Sequence, residues 1–205
     1  LSNETVAELL KDARIKGVSL TGSEKAGRTV AEIAGRELKP QVLELGGSNA
    51  FILHSSAKVQ AAAELASSAR LLNAGQSCIA AKRFLVHESL YAGFIQALKA
   101  VFSTYSIGDP KASSTSIGPL ARPDLKANAL RQIEESLAQG AKLELGGKGE
   151  GNLLEPTILS GVNREMTVFK EEVFAPIASI LSYSDFEEAI AISNGSRYGL
   201  GLSLI

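Results

Sequence analysis

Apolar side chains recur along this chain in short runs that alternate with longer amphipathic stretches. Brief β-prone runs, each four to six residues long, occupy positions 15–20, 41–45, 50–53, 83–86 and 200–205. Between them apolar residues return at spacings of three and four, the period of a helix, from about 30, 59, 91 and 125 onward. Strands that alternate with helices predict an α/β fold with a largely parallel sheet flanked by helices.

Turn and cap residues predict where several of these elements begin and end. Gly140 follows the amphipathic stretch 125–137 and predicts a helix stop, and Leu143–Leu145 predicts a short strand after it. Ser184 and Glu187 have the spacing of a capping box, which predicts the first turn of a last helix. The stretch 108–123 mixes glycine, proline and serine, and we expect a surface connection there.

Composition and charge narrow the class of protein. The chain has 205 residues, of which 45% are hydrophobic and 21% charged, as in ordinary soluble globular proteins. A net charge of −1 provides no electrostatic basis for nucleic-acid binding. No apolar run has the roughly 20 residues of a membrane span, and the N-terminus has no secretory pattern. We therefore expect a cytoplasmic protein without nucleic-acid or membrane partners.

The chain contains one cysteine, Cys78, and two histidines, His54 and His87. One cysteine excludes an intrachain disulfide, and so few ligands predict no metal site. Cys78 follows Gly75 in a segment where a helical pattern must turn, which could expose the thiol. A lone cysteine is more often a small buried hydrophobe, so position alone leaves both interpretations open.

Two motifs favour a functional cysteine. The segment Leu43-Glu44-Leu45-Gly46-Gly47 precedes Gly75-Gln76-Ser77-Cys78, and Cys78 follows Glu44 by 34 positions. Together these segments resemble the two signature motifs of the aldehyde dehydrogenase superfamily. The resemblance implies that Cys78 is the nucleophile and that Glu44 is the general base.

Further motifs extend this resemblance over essentially the whole chain. The Thr21-Gly22-Ser23 turn is similar to the family's strand-to-helix turn at the cofactor pyrophosphate. The segment from Glu171 to Ile177 is similar to the family's Glu-Glu-x-Phe-Gly-Pro motif, with alanine in place of the glycine. The resemblance implies that Glu172 holds the nicotinamide ribose hydroxyls and that Phe174 flanks the nicotinamide of NAD or NADP. It also implies further cofactor contacts from Gly22, Ser23, Leu45 and Gly46.

The family mechanism that the resemblance implies has two halves. Cys78, as a thiolate, adds to an aldehyde, and hydride transfer leaves an acyl-thioester on the enzyme. Glu44 then activates the water that hydrolyses the thioester. The backbone N–H of Cys78 contributes to oxyanion stabilisation, whereas the family's asparagine partner belongs to an upstream motif that this chain lacks. The segments 44–51 and 78–84 are similar to bacterial succinate-semialdehyde dehydrogenases, which implies succinate semialdehyde as substrate.

The same resemblance predicts the domain organisation. Residues 1–47 would be the C-terminal remnant of the NAD(P)-binding domain, and residues 48–205 a catalytic domain truncated at its C-terminus. We therefore expect a fragment of a longer enzyme, whose activity on its own is left open. The choice between NAD and NADP is also open, because the residues at the ribose 2′ position lie upstream. Apolar surface uncovered by truncation predicts a homo-oligomer.

Two other classes of function stay open. The first is a non-catalytic truncated paralogue that acts as an assembly or binding module. The second is a cysteine acyltransferase or hydrolase, which would place a histidine within hydrogen-bond reach of Cys78; we expect His54 and His87 at exposed strand ends instead.

Three other charged residues are predicted to have no part in the chemistry. The segment Leu143-Glu144-Leu145-Gly146-Gly147 repeats the letters of 43–47 without a cysteine motif after it, so we expect Glu144 at a solvated strand end. Lys82 and Arg83 are interpreted as solvated charges at the start of a strand.

Overall fold

The computed structural model describes residues 2–205, which form two compact units, residues 2–46 and Gly47–Ile205. In the smaller unit two strands pair in parallel, with Val18 opposite Gln41 and Thr21 opposite Glu44. Ser23 caps its second helix by accepting a hydrogen bond from the backbone N–H of Ala26. In chain order its elements are α1 (Asn3–Lys11), β1 (Val18–Thr21), α2 (Glu24–Arg36) and β2 (Gln41–Glu44).

The larger unit is a six-stranded sheet with helices between its strands. Its first elements are β3 (Asn49–Leu53), α3 (Val59–Leu71), β4 (Ala81–His87), α4 (Glu88–Phe102), α5 (Pro123–Ala138) and β5 (Lys142–Leu145). They are followed by β6 (Thr157–Ser160), α6 (Thr167–Lys170), β7 (Ile177–Tyr183), α7 (Phe186–Asn194) and β8 (Leu202–Leu204). The strand order is β5-β6-β7-β4-β3-β8, and only β5 and β6 pair antiparallel. The predicted α/β fold with a largely parallel sheet is confirmed.

The centre of the larger unit forms because residues 50–53 of β3 and 84–86 of β4 are apolar on both faces, as parallel strands covered by helices are. Every residue of β3 is buried. The rings of Phe51 and Phe84 lie 5.3 Å apart, and Phe84 is 6.3 Å from Phe94 of α4. On α3 the buried face up to Ser67 consists of small residues, including Ala62 and Ala66, which let the helix approach its neighbours closely.

Two local predictions were wrong. The capping side chain of α7 is Asp185, which accepts from the N–H of Glu188, so the predicted box is shifted by one residue. Ser184 instead donates through its N–H and its hydroxyl to the Glu188 carboxylate, because that side chain folds back over the first turn. The 108–123 connection is not wholly at the surface, since Ile117 and Leu120 are each 2% exposed and pack into the core.

Candidate active site

Cys78 follows an unusual backbone turn at the end of α3. Asn73 and Ala74 have φ of 54°, and Gly75 has φ of 73°, so three consecutive residues are left-handed. A left-handed conformation costs a non-glycine residue about 1–2 kcal/mol. At Gly75 a Cβ would also lie 2.3 Å from the Ala175 carbonyl oxygen, so only glycine fits.

Buried hydrogen bonds hold this turn. Arg70, fully buried, donates to the carbonyls of Gly75 at 2.5 Å and Ala81 at 3.0 Å. Burial lowers the pKa of Arg70 to about 9, with an opposing effect of Glu172, so the guanidinium is charged at neutral pH. Gln76, the second residue of the Gly-Gln-x-Cys motif, donates its side-chain N–H to the carbonyl of Asn73 at 3.1 Å.

The turn leaves Cys78 with a free, half-buried thiol. Within residues 2–205 no hydrogen bond uses the backbone N–H of Cys78. A free thiol and an unused N–H are the two groups that acyl transfer at a cysteine needs, the thiol to attack a carbonyl and the N–H to stabilise the oxyanion.

Lys82 and Arg83, predicted as solvated charges, are buried, so that prediction was wrong. Both lie near the start of β4, in the middle of the sheet, where their side chains enter the core. The Lys82 ammonium donates to the carbonyls of Ser77 and Cys78, both at 3.0 Å, and to Oε1 of Glu172 at 3.1 Å. Burial lowers the pKa of Lys82, and the Glu172 carboxylate opposes that shift.

Glu172 is brought to the Cys78 loop by these contacts. Its Oε1 also accepts from the N–H of Gly47 at 3.1 Å, while Oε2 receives no hydrogen bond from the described part of the chain. A Cβ at Gly47 would lie 2.7 Å from the Cys78 carbonyl oxygen, so glycine permits this close approach. Phe174, two residues after Glu172, is half-buried.

The smaller unit gathers the other predicted site residues. Gly22 donates its N–H to the carbonyl of Glu44 at 3.0 Å, next to Ser23 at the cap of α2. Glu44 ends β2 with an exposed side chain, and Leu45 and Gly46 are half-buried beyond it.

Each of the two units, taken by itself, has groups that suit part of a dinucleotide. The N-terminus of the 13-residue helix α2 favours an anionic group such as a pyrophosphate. Beside it, a hollow of about 340 Å³ between α1 and α2 has apolar walls that include Val6, Leu10, Val30 and Ile33 and polar groups from Ser23 and Thr29, which suit the flat face and the polar edge of a nucleobase. In the larger unit, Oε2 of Glu172 is an acceptor suited to a hydroxyl pair.

The histidines do not accompany Cys78. His54 directly follows β3 and His87 ends β4, so both lie at the C-terminal ends of these parallel strands. Cys78 lies before β4, at the N-terminal ends of the strands. Their ring Nδ1 atoms pair with the hydroxyls of Ser56 and Ser89. Among residues 2–205 neither histidine bonds to Cys78, and no group of three or more potential metal ligands occurs. This placement speaks against the cysteine hydrolase.

Comparisons with known proteins give the family. The profile described as "Aldehyde dehydrogenase family" matches residues 2–205. The chain belongs to this family. It is 43% identical over 202 residues to a succinate-semialdehyde dehydrogenase [NADP(+)] of Mycolicibacterium paratuberculosis, a match covering 97% of this chain and 43% of that protein. It is 41% identical to a Mycobacterium tuberculosis protein of that name, covering 98% and 45%.

Solved structures of this aldehyde dehydrogenase family share the fold. A succinic semialdehyde dehydrogenase from Streptococcus pyogenes, crystallised with NADP+, has a TM-score of 0.96 and 39% identity, covering 100% of this chain and 46% of that one. A succinate-semialdehyde dehydrogenase from Burkholderia pseudomallei also has a TM-score of 0.96, with 33% identity, covering 99% and 43%. The chain therefore spans less than half the length of these relatives.

The predicted resemblance to aldehyde dehydrogenases is confirmed by these matches. Sequence reasoning missed Lys82 and Arg70, which donate hydrogen bonds to backbone carbonyls in the segment 75–81. One signal was available, because Lys82 and Arg83 directly precede Phe84, Leu85 and Val86 in a run whose other members are apolar. Charges inside a central strand have to be buried and paired.

Proposed function

We propose that the complete protein oxidises an aldehyde to a carboxylic acid with a nicotinamide cofactor, with Cys78 as nucleophile and Glu44 as general base. The observation that carries this proposal is the Cys78 turn, where a free thiol lies beside an unused backbone N–H. In the same unit Glu172 has one carboxylate oxygen held and the other available for a ligand.

Cys78 begins the proposed reaction. Its sulfur forms a bond to the aldehyde carbon, and the carbonyl π pair moves to the oxygen as an oxyanion. The Cys78 N–H donates to that oxygen, because a preorganised donor is worth most where charge develops. Covalent attachment divides one difficult oxidation into two easier steps.

The cofactor, when bound, supplies the acceptor for the hydride that leaves the aldehyde carbon. We propose that Gly22 and Ser23 hold its pyrophosphate at the N-terminus of α2, together with Leu45 and Gly46. Glu172 accepts hydrogen bonds from its ribose hydroxyls, and Phe174 flanks the ring, as the resemblance to family motifs implies.

Glu44 completes the proposed reaction. Its carboxylate takes a proton from a water molecule, which attacks the thioester carbon and displaces the Cys78 thiolate. General-base assistance of this kind contributes about 10²–10⁴-fold to a rate. The support for Glu44 is its position in the Glu-Leu-Gly-Gly motif and the match of the chain to the family.

We further propose succinate semialdehyde as the aldehyde and NADP+ as the cofactor, because the relatives at 41–43% identity are named as succinate-semialdehyde dehydrogenases that use NADP+. We retain the division into a cofactor-domain remnant at 1–47 and a catalytic domain at 48–205 as part of this proposal. The homo-oligomer and the cytoplasmic location stay predictions. In residues 2–205 no helix has the length and apolar character to cross a membrane.

The test compares the complete gene product with its Cys78→Ala variant. With succinate semialdehyde and NADP+ we expect aldehyde-dependent appearance of reduced cofactor, measured by absorbance, and a loss of at least about 10³-fold in the variant. Intact mass spectrometry should detect an acyl adduct only when Cys78 is present. Wild-type turnover in Cys78→Ala would remove the thiol from the mechanism. A folded wild type without turnover on any aldehyde would favour the assembly module.

A further inference from the structure

Lys82 lies outside the Glu-Leu-Gly-Gly and Gly-Gln-x-Cys motifs, yet its ammonium contacts both the Cys78 loop and Glu172. The side chain is fully buried, and each of its three N–H donors is used. A buried ammonium is costly unless paired and hydrogen-bonded, and Glu172 provides the compensating charge. The position therefore needs a side chain that is long, cationic and able to donate to all three of these acceptors.

Two of these hydrogen bonds orient the peptide that carries the nucleophile. The peptide between Ser77 and Cys78 is planar and trans, so its carbonyl and its N–H point in opposite directions. Lys82 holds the Ser77 carbonyl on the buried side. The N–H of Ala80 also donates to this carbonyl, at 3.3 Å, so the hydrogen bond from the ammonium is the shorter of the two. The N–H of Cys78 points the opposite way, where it has no partner among the described residues. Lys82 thus contributes to the direction of the proposed oxyanion donor.

The third hydrogen bond orients Glu172. Oε1 is held from two sides, by the Lys82 ammonium and by the N–H of Gly47, and this fixes the plane of the carboxylate. Oε2 is left for a ligand, on a side chain that is 21% exposed. Without Lys82, one backbone N–H would hold Oε1, and the carboxylate could rotate.

We propose that Lys82 is a positioning residue that couples the two halves of the site, the oxyanion donor at Cys78 and the ribose-binding carboxylate of Glu172. This inference rests on the function proposed above. A purely structural Lys82 would stabilise the fold without affecting cofactor affinity, so the two roles predict different measurements.

The experiment uses Lys82→Met in the complete gene product, which keeps the length of the side chain and removes its three donors. We expect the Kd for NADP+, measured by fluorescence titration without aldehyde, to rise about tenfold to 100-fold, the value of a hydrogen bond to a charged group. Hydride transfer in the first turnover should slow by at least about tenfold more, because the oxyanion donor is misdirected. Iodoacetamide should still label Cys78, located by peptide mass mapping, at the rate of the wild type, which shows that the loop keeps its structure.

The matched control is Lys126→Met. Lys126 also donates to two backbone carbonyls, those of Gly149 at 2.7 Å and Gly151 at 2.6 Å, but in a different loop. We expect a lower melting temperature and an unchanged Kd for NADP+. An unchanged Kd in a folded Lys82→Met protein would overturn the inference. If Lys82→Met does not fold, Lys82→Gln, which keeps two donors without the charge, must show the rise in Kd, and its absence there is equally decisive.

A double-variant cycle tests the route of the effect. In Glu172→Gln the acceptor charge is absent, so adding Lys82→Met should change the Kd for NADP+ by less than about threefold. Additive effects of the two substitutions would contradict coupling through Glu172. Failure of the proposed function is distinguishable, because wild type itself would then neither bind NADP+ nor need Cys78, whereas failure of this inference leaves both properties intact.

Discussion

The segments 43–47 and 143–147 have the same five residues, Leu-Glu-Leu-Gly-Gly, and different structures. In the first segment Glu44 is exposed at the end of β2, and neither glycine has a positive φ. Gly47 donates its N–H to Glu172 and lies against the Cys78 carbonyl. The first copy therefore leaves its carboxylate accessible and uses a glycine for close packing at the candidate site.

In the second segment the carboxylate is engaged by neighbouring side chains, and the glycines serve the backbone conformation. Glu144 is half-buried on the edge strand β5, where its carboxylate accepts from the Ser160 hydroxyl at 2.7 Å and lies 3.5 Å from the Lys99 ammonium. The prediction of a solvated Glu144 was therefore wrong, because the antiparallel partner strand and α4 provide polar groups for it. Gly146 and Gly147 have φ of 73° and 88°, which glycine adopts without strain.

The comparison shows that five identical letters determine neither backbone conformation nor chemistry. The two copies differ in their neighbours. Gly47, the last residue of the first copy, packs against the loop that carries Cys78, whereas Glu144 of the second copy contacts the Ser160 hydroxyl and the Lys99 ammonium. A carboxylate already engaged by two partners is poorly suited to take a proton from water.

The largest effect that would test this comparison is on catalysis. We expect Glu44→Gln to lower steady-state turnover by about 10²–10⁴-fold, because only thioester hydrolysis needs the base. A burst of one equivalent of reduced cofactor should survive, as measured by rapid-mixing absorbance. The matched Glu144→Gln variant should retain turnover within about twofold. Intact turnover in Glu44→Gln, or a stall in Glu144→Gln alone, would reverse the assignment of the base.

The next effect concerns stability in the second copy. A Cβ at Gly146 would lie 2.2 Å from the Pro156 carbonyl oxygen, on a backbone with positive φ. Gly146→Ala should therefore lower the free energy of unfolding by about 2–4 kcal/mol, measured from urea transitions. Gly151→Ala is the control, because its φ is 50° with nothing within 4 Å, and it should cost only about 1 kcal/mol. Equal losses of unfolding free energy in the two variants would mean that the backbone relieves the contact with Pro156.

In the first copy the glycine test should affect activity more than stability. Gly47→Ala introduces a Cβ 2.7 Å from the Cys78 carbonyl oxygen at a position without positive φ, so the loop that carries Cys78 has to move. We expect first-turnover hydride transfer to slow by about 10–100-fold, since displacements near 1 Å cost such factors. The urea transition should move by less than that of Gly146→Ala. Wild-type hydride transfer in Gly47→Ala, together with a loss of stability as large as that of Gly146→Ala, would contradict a role of Gly47 at the candidate site.

The smallest effect is expected at the ion pair of the second copy. Lys99→Met removes the cation 3.5 Å from Glu144, where the two side chains are 32% and 23% exposed. Pairs of this kind are worth about 0.5 kcal/mol, so the melting temperature should fall slightly with no change in turnover. A loss of turnover would indicate that the second copy contributes to the chemistry.

Much of the fold was predictable because the signals act over a few residues. The run 50–53 became β3, and the apolar face that starts at 59 became α3. The helix α5 ends at Ala138, two residues before Gly140, whose own φ is 107°. The strands β6 and β7 were not predicted, because short apolar runs also fit buried helix, and only pairing with neighbours decides between them. The cap of α7 was missed by one residue for a similar reason, since Ser184 and Asp185 are both capable caps.

The sequence by itself determined the membership of the aldehyde dehydrogenase family and the spacing of Glu44 and Cys78, because those depend on the order of residues alone. Only the tertiary structure decided which charges enter the core. Lys82 is buried because Glu172, 90 positions later, meets it across the sheet, and Glu144 is engaged because Ser160 pairs from the next strand. The apolar run after Lys82 indicates locally that a charge there is buried, but the partner that compensates it is distant in sequence, so no local pattern identifies that partner.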